Sequence, residues 1–128
     1  MSVIADHMSR ELLQASPDEP LAEAARHMVG RGVGAVLVMD GNRLEGILTE
    51  RDILKAVAVG LTESRVRDWL TRNPETIDAS DTTEHAAALM IHGGFRHLPV
   101  LDGGAVVGIV SIRDLMRVAL DDSAPRGV

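Results

Sequence analysis

Gly46-Ile47-Leu48-Thr49-Glu50-Arg51-Asp52 and Gly108-Ile109-Val110-Ser111-Ile112-Arg113-Asp114 are two versions of one motif, and they decide the organisation of the chain. A shift by the 62 residues that separate them aligns nearly all of the sequence with itself, without a gap. Upstream, for example, Val38-Met39-Asp40-Gly41 falls on Val100-Leu101-Asp102-Gly103. Two copies are too few for a solenoid, which needs three or more. The sequence therefore predicts a closed pair of modules at residues 1–62 and 63–120, followed by a loose tail at 121–128.

Each copy is predicted to have the same secondary structure. In the first copy, a short strand at 12–15 precedes a helix after Pro20, where apolar residues recur at three- and four-residue steps. Two apolar runs, 35–39 and 44–48, flank a hairpin turn at Asp40-Gly41-Asn42, and a helix then runs from Thr49 to about Ala58. The second copy repeats this order with strands at 75–78, 97–101 and 105–110 and helices at 83–92 and 111–120. The predicted class is therefore α+β, a tandem pair of β-α-β-β-α modules.

The composition of the 128 residues excludes several classes of protein. Because the chain has no cysteine, neither a disulfide framework nor a thiolate metal site is possible. The formal net charge of −6 argues against a nucleic-acid partner, whose phosphates need a basic surface. The sequence has no apolar run of about eighteen residues and no signal-peptide pattern at its start. We therefore expect a cytoplasmic protein that binds neither nucleic acid nor a membrane.

The repeated motif places polar side chains where a strand runs directly into a helix. A helix amino terminus presents unpaired N–H groups and partial positive charge, so it favours an anion. The hydroxyls of Thr49 and Ser111 lie at that terminus and could bind a phosphate. Asp52 and Asp114 follow one turn later, where a carboxylate could accept hydrogen bonds from two vicinal hydroxyls, as in a ribose. Arg51 and Arg113 could neutralise a phosphate.

A simpler interpretation is helix capping, because Thr/Ser-x-x-Asp is close to a capping box. In that interpretation the hydroxyl caps the helix, and the acid reaches back to the backbone before it. A cap needs neither the arginine nor the preceding glycine, and both recur in Gly46 to Asp52 and in Gly108 to Asp114. The two roles are compatible, so capping and ligand binding both remain open.

The duplicated arrangement resembles a CBS domain pair, also called a Bateman module, over essentially the whole chain. The two motifs carry the resemblance, together with Arg96-His97-Leu98-Pro99-Val100-Leu101-Asp102, which is typical of the family's strand before its hairpin. The resemblance implies two copies packed sheet to sheet around a pseudo-two-fold axis, with two clefts between them. It also implies AMP, ADP, ATP or S-adenosylmethionine as ligands, and usually a homodimer, although some members bind no ligand.

The resemblance also implies roles for particular residues. Asp52 and Asp114 would hold ribose hydroxyls, and Thr49 and Ser111 would contact ribose or phosphate. The strand before the hairpin would line an adenine pocket, near Ala35 in the first copy and near His97 and Pro99 in the second. The two copies differ here, since Arg96 and His97 replace Gly34 and Ala35. We therefore expect two unequal sites, of which the one with Arg96, His97 and Asp114 is the better candidate for an occupied site.

Three functions compete at this point. The first is a regulatory sensor of an adenosyl compound, with no required cofactor and with a downstream protein that the sequence does not identify. The second is an interaction and dimerisation module that binds no ligand. The third is an enzyme, which we do not expect, because the sequence offers no nucleophile–base pair, no metal-ligand spacing and no Gly-rich phosphate loop.

Overall fold

A computed structural model describes residues 2–123 of the chain, which form two compact units. One unit is continuous in sequence and spans Leu12–Pro74. The other combines the described parts of two segments, Met1–Glu11 and Glu75–Val128. We call them the continuous unit and the split unit.

The continuous unit is a four-stranded sheet with two helices. Strand β1 pairs in parallel with β2, and β2 pairs with β3 as an antiparallel hairpin across the loop at Gly41. Strand β4 pairs antiparallel with β3, with Thr71 opposite Ile47 and Arg72 opposite Gly46. The bounds are β1 (Gln14–Ala15), α1 (Leu21–Arg31), β2 (Ala35–Asp40), β3 (Arg43–Thr49), α2 (Glu50–Ala58) and β4 (Thr71–Arg72).

The split unit repeats this arrangement with a three-stranded sheet in the order β5-β6-β7. In place of a fourth strand, Ser9 of the amino-terminal segment forms an isolated antiparallel bridge with Ile109. The backbone of Ser9 donates to and accepts from Ile109 at 2.8 and 3.0 Å. The bounds are β5 (Ile77–Asp78), α3 (Thr83–Gly93), β6 (His97–Asp102), β7 (Ala105–Ser111) and α4 (Ile112–Ser123).

Each unit has its own apolar core. In the continuous unit, α1 buries residues spaced three or four apart, which lie on one helix face, against the sheet. The helix ends at Gly32, whose φ of 65° is the left-handed conformation that terminates many helices. The core residues of this unit include Leu21, Ala24, Met28, Val36, Val38, Leu48, Val66 and Leu70. Those of the split unit include Ile4, Ala86, Met90, Leu98, Val100 and Val110.

The predicted α+β class and the repeated order of elements are confirmed. Each compact unit combines residues of both repeats: the continuous unit includes the amino-terminal end of the second repeat, and the split unit includes that of the first. The physical reason is core packing: Ile4 is buried in the core of the split unit, whereas Val66 and Leu70 are buried in that of the continuous unit. Helix α4 also continues to Ser123, three residues into the predicted tail, and 124–128 lie outside the described residues.

Candidate ligand-binding site

Thr49 connects β3 to α2 and caps the helix with its side chain. Its Oγ1 accepts a hydrogen bond from the Asp52 N–H at 3.3 Å and donates one to Asp52 Oδ2 at 3.1 Å. Asp52 Oδ2 also accepts from the Thr49 N–H at 2.9 Å, which completes a capping box. The carboxylate of Asp52 is therefore fixed against the first turn of α2, and the residue is only 6% exposed.

Ser111 and Asp114 reproduce the same box at the start of α4. The Ser111 N–H and hydroxyl donate to Asp114 Oδ2 at 2.8 and 3.0 Å, and the Asp114 N–H donates to Ser111 Oγ at 3.2 Å. The capping interpretation of the sequence is thus confirmed in both motifs. In each aspartate the cap uses Oδ2, so Oδ1 lies outside the cap.

The helix amino termini have fewer unpaired N–H groups for an anion than the sequence predicts. The Glu50 N–H donates to the carbonyl of Gly34 at 3.0 Å, and the equivalent Ile112 N–H donates to the carbonyl of Arg96 at 2.8 Å. With the amides of Asp52 and Asp114 bonded to the capping hydroxyls, two of the first three N–H groups of each helix are occupied. A phosphate would therefore depend more on side chains than on the helix backbone.

The glycine of each motif has a structural role that the sequence did not reveal. A Cβ at Gly46 would lie within 3.0 Å of the Thr71 carbonyl oxygen and of the Leu70 side chain. A Cβ at Gly108 would lie 2.8 Å from the Ser9 carbonyl oxygen and 2.6 Å from Met8 Sδ. Glycine is therefore required here by the close approach of a neighbouring backbone segment. The recurrence of the glycine is thus no argument for a ligand.

The structure brings most of the predicted site residues together within each unit. Ala35 lies opposite Thr49 across the β2–β3 ladder, and His97 lies opposite Ser111 across the β6–β7 ladder. Pro99, two residues from His97 on the same strand face, lies opposite Ile109 and is fully buried. The arginines predicted to meet a phosphate are all exposed, and they are Arg51, Arg96 and Arg113.

Two charged or polar neighbours of the aspartates were not singled out from the sequence. Thr71 Oγ1 on β4 lies 3.3 Å from Asp52 Oδ1 and 3.4 Å from Oδ2. Arg117, one turn into α4, places its Nη1 3.6 Å from Asp114 Oδ1. A signal was available for the first, because the repeat aligns Thr71 with Ser9 and so keeps a hydroxyl at this position.

The residues at the site are hydroxyls, carboxylates and guanidinium groups, which suit a polar organic ligand. Within residues 2–123, no three histidine or acidic side chains are grouped so that they could hold a metal ion. Among the helices that the structure describes, none is both long and apolar enough to cross a membrane. Carboxylates can accept hydrogen bonds from hydroxyls, and guanidinium groups can pair with negative charge.

Two β-α-β-β-α units, each with a fixed carboxylate at a strand-to-helix junction, define a tandem module of a recurrent type. The chain matches the CBS domain over residues 4–59 and again over residues 66–121, and it belongs to that family. The resemblance inferred from the two motifs is thereby confirmed, since both copies are matched and the matches cover most of the chain.

Relatives of known sequence share this domain at moderate identity. An uncharacterised 17.7 kDa protein of Acidianus ambivalens is 40% identical over 107 residues, which are 82% of this chain and 65% of that protein. The CBS domain-containing protein CBSCBSPB5 of Arabidopsis thaliana is 41% identical over 96 residues, or 72% of this chain and 18% of that protein. The chain thus spans less than two thirds of the length of these relatives.

Two solved structures with the same fold were determined in complex with adenine-containing ligands. The CBS domain pair of protein MJ0100, in complex with 5′-methylthioadenosine and S-adenosyl-L-methionine, is 26% identical, with a TM-score of 0.90 over 96% of this chain and 99% of that one. CBSX2 in complex with AMP is also 26% identical, with a TM-score of 0.82 over 97% of this chain and 100% of that one. These three ligands share adenine and a ribose ring with its 2′ and 3′ hydroxyls.

Proposed function

We propose that this chain is a regulatory module that binds an adenosine nucleotide or a related adenosyl compound. The observation that carries the proposal is the carboxylate of Asp114, which the cap fixes through Oδ2 while Oδ1 faces Arg117 at 3.6 Å. A carboxylate that the cap holds in place and that keeps an acceptor oxygen outside the cap can receive ribose hydroxyls. The adenosyl ligands of MJ0100 and CBSX2 support this choice of ligand class.

The proposed contacts follow from where the side chains lie. Asp114 accepts hydrogen bonds from ribose hydroxyls, and the capping hydroxyl of Ser111 lies beside it for ribose or phosphate. Asp52 and Thr49 hold the equivalent positions in the continuous unit. The exposed guanidinium groups pair with phosphate, and they have no such partner in a ligand without phosphate. The proposed contacts are Arg96, His97, Pro99, Ser111, Arg113 and Asp114 in the split unit, and the equivalent candidate positions in the continuous unit are Ala35, Thr49, Arg51 and Asp52.

Thermal unfolding with added ligand tests the proposal. A ligand that binds the folded chain stabilises it, by about 2.7 kcal/mol at a hundred times its dissociation constant. AMP, ADP, ATP and S-adenosylmethionine would each be added to the wild type, to Asp114→Asn and to Asp102→Asn. Asp102, exposed at the β6–β7 hairpin, controls for the loss of one charge in the same unit. We expect the ligand to raise the Tm of the wild type and of the Asp102→Asn control but not that of Asp114→Asn. Absence of any response or bound compound at millimolar ligand would defeat the proposal.

A second candidate is an interaction and dimerisation module without a ligand. The complete capping boxes favour it, because they explain Thr49, Asp52, Ser111 and Asp114 by structure alone. In that case Asp52→Ala and Asp114→Ala would each cost about 1 kcal/mol of stability and leave self-association unchanged. Native mass spectrometry of the chain as purified separates the candidates, since the sensor carries or accepts an adenosyl compound and the ligand-free module does not.

The proposal includes a homodimer with no catalytic activity. Leu54 on α2 and Met116 on α4 occupy equivalent positions in the two repeats and are 66% and 59% exposed. Apolar side chains repeated at one helix position are candidates for a contact between copies.

Signal output then requires a downstream protein that distinguishes two states of the module, because a ligand shifts an equilibrium only by its difference in affinity for those states. Sedimentation with and without AMP tests the association, and turnover of ATP by the purified chain would contradict the absence of catalysis.

A further inference from the structure

We infer that Thr71 makes the two motifs unequal, by occupying the carboxylate of Asp52 while that of Asp114 stays open to a ligand. The inference rests on the proposed function, and it assigns binding of the ribose hydroxyls to Asp114. It also assigns to Thr71, which lies outside the motif, a role in determining which of the two sites binds the ligand.

The contacts of Asp52 leave little acceptor capacity for a ligand. Its Oδ2 accepts the N–H and the hydroxyl of Thr49, which uses both lone pairs of that oxygen. The hydroxyl of Thr71 lies 3.3 Å from the remaining oxygen, Oδ1, and 3.4 Å from Oδ2. Oδ1 therefore keeps one acceptor position, so the two vicinal hydroxyls of a ribose can both bind Asp52 only if they displace the Thr71 hydroxyl and leave it without this acceptor.

The position of Thr71 is fixed by the sheet. Thr71 and Arg72 form β4, which pairs with Ile47 and Gly46 of β3. The bare Cα of Gly46 lets the Thr71 carbonyl come close, so the β4 backbone lies tightly against β3. A paired strand, and not a flexible loop, therefore holds the Thr71 hydroxyl beside Asp52.

The equivalent position in the split unit is different. Ser9 aligns with Thr71 in the repeat, but it pairs with Ile109 through a single isolated bridge. Within residues 2–123, we find no hydrogen bond from the Ser9 hydroxyl to Asp114. Arg117 Nη1 lies 3.6 Å from Asp114 Oδ1, beyond normal hydrogen-bond length, and the Asp114 side chain is 18% exposed. Asp114 Oδ1 can therefore accept a ligand hydroxyl beside a positive charge.

Isothermal titration with AMP and with S-adenosylmethionine tests the inference. In the wild type, Asp114→Asn should weaken binding about tenfold or more, whereas Asp52→Asn should change the dissociation constant less than about twofold. Thr71→Val removes the hydroxyl without changing the volume, and it should add a second binding event that the double variant Thr71→Val/Asp52→Asn loses. The matched variant Ser9→Ala should leave both affinity and stoichiometry unchanged. Binding that is lost in Asp52→Asn and kept in Asp114→Asn would overturn the inference, as would an unchanged stoichiometry in Thr71→Val.

A second measurement separates this inference from the proposed function. If neither compound binds any variant, the proposed function fails, and the role of Thr71 is decided on the ligand-free protein. There the Tm changes of Thr71→Val and Asp52→Asn should be non-additive in the double variant, because one interaction is removed twice. Those of Ser9→Ala and Asp114→Asn should add. Additive changes at Thr71 and Asp52 would show that Thr71 does not occupy Asp52 and would overturn the inference.

Discussion

Among substitutions that add one methyl group to either motif, Gly46→Ala should lower the free energy of unfolding the most. The added Cβ would lie within 3.0 Å of the Thr71 carbonyl oxygen and of Leu70 Cδ1, and 3.1 Å from the Thr71 carbonyl carbon. The Leu70 side chain can rotate away, but the carbonyl belongs to the backbone of β4. Because β4 is paired with β3 at Gly46 and Ile47, the strand can yield only by giving up that pairing.

The expected cost combines crowding with lost strand pairing. Extra methyl groups in a well-packed site typically cost about 1–3 kcal/mol. Gly46 is at the upper end of that range, because the atom that must move is backbone and Leu70 lies in the core of the continuous unit. We expect Gly46→Ala to lower the free energy of unfolding by about 3 kcal/mol. For a chain of this size, that corresponds to a fall in Tm of roughly 10 °C.

Two other glycines provide matched controls for the same substitution. Gly30 lies in α1 with nothing within 4 Å of its added Cβ, so alanine there should be neutral or stabilise by up to about 1 kcal/mol. Gly108 should be intermediate, since one of its two close neighbours is the flexible Met8 side chain. Differential scanning calorimetry of the three variants gives the order directly. A Tm for Gly46→Ala within about 1 °C of the wild type, or below it by no more than Gly30→Ala, would refute the reasoning.

Two further predictions concern the split unit. Leu98 is 0% exposed, so Leu98→Ala should cost about 2–5 kcal/mol by leaving a cavity. Ile91→Ala, at a 76% exposed position of α3, should stay within about 0.5 kcal/mol. Urea unfolding checks both, and equal midpoints would contradict the assigned core. The hydrogen bond from the His85 side chain lowers the pKa of Asp81 below its ordinary value of 3.8. Ionised Asp81 therefore stabilises the folded chain above about pH 4, and that contribution should be lost as the pH falls through the lowered pKa. Asp81→Asn should flatten this part of the Tm–pH curve between pH 2 and 5, and an unchanged slope would contradict the assignment.

The sequence allowed the repeated architecture to be predicted because its signals are local. Apolar spacing after Pro20, the turn at Asp40-Gly41-Asn42 and the hydroxyl of Thr49 each act within a few residues. The same holds for the capping boxes, whose partners lie three residues apart. Within each unit, the register that places His97 opposite Ser111 follows from the hairpin between them.

What the sequence did not predict depends on contacts between distant segments. The hydrogen bonds from Thr71 to Asp52 arise because β4 pairs with β3, and no short pattern marks a two-residue strand. The recurring glycines pointed toward a ligand, but they are explained by a crowded neighbouring backbone. The packing of Ile4 with the second repeat also required knowledge of the three-dimensional core.

The exchanged amino-terminal ends also have a consequence for the order of folding during synthesis. The continuous unit needs only Leu12–Pro74, so its contacts can form while the second repeat is still being made. In the split unit, Ile4 and Ser9 cannot complete their contacts until β7 emerges, because Ser9 pairs with Ile109 about one hundred residues later. Closing so long a loop is entropically costly and slow compared with the local pairing of β2 and β3. A ribosome that pauses once Pro74 has emerged would therefore display one folded unit with an unpaired amino-terminal segment.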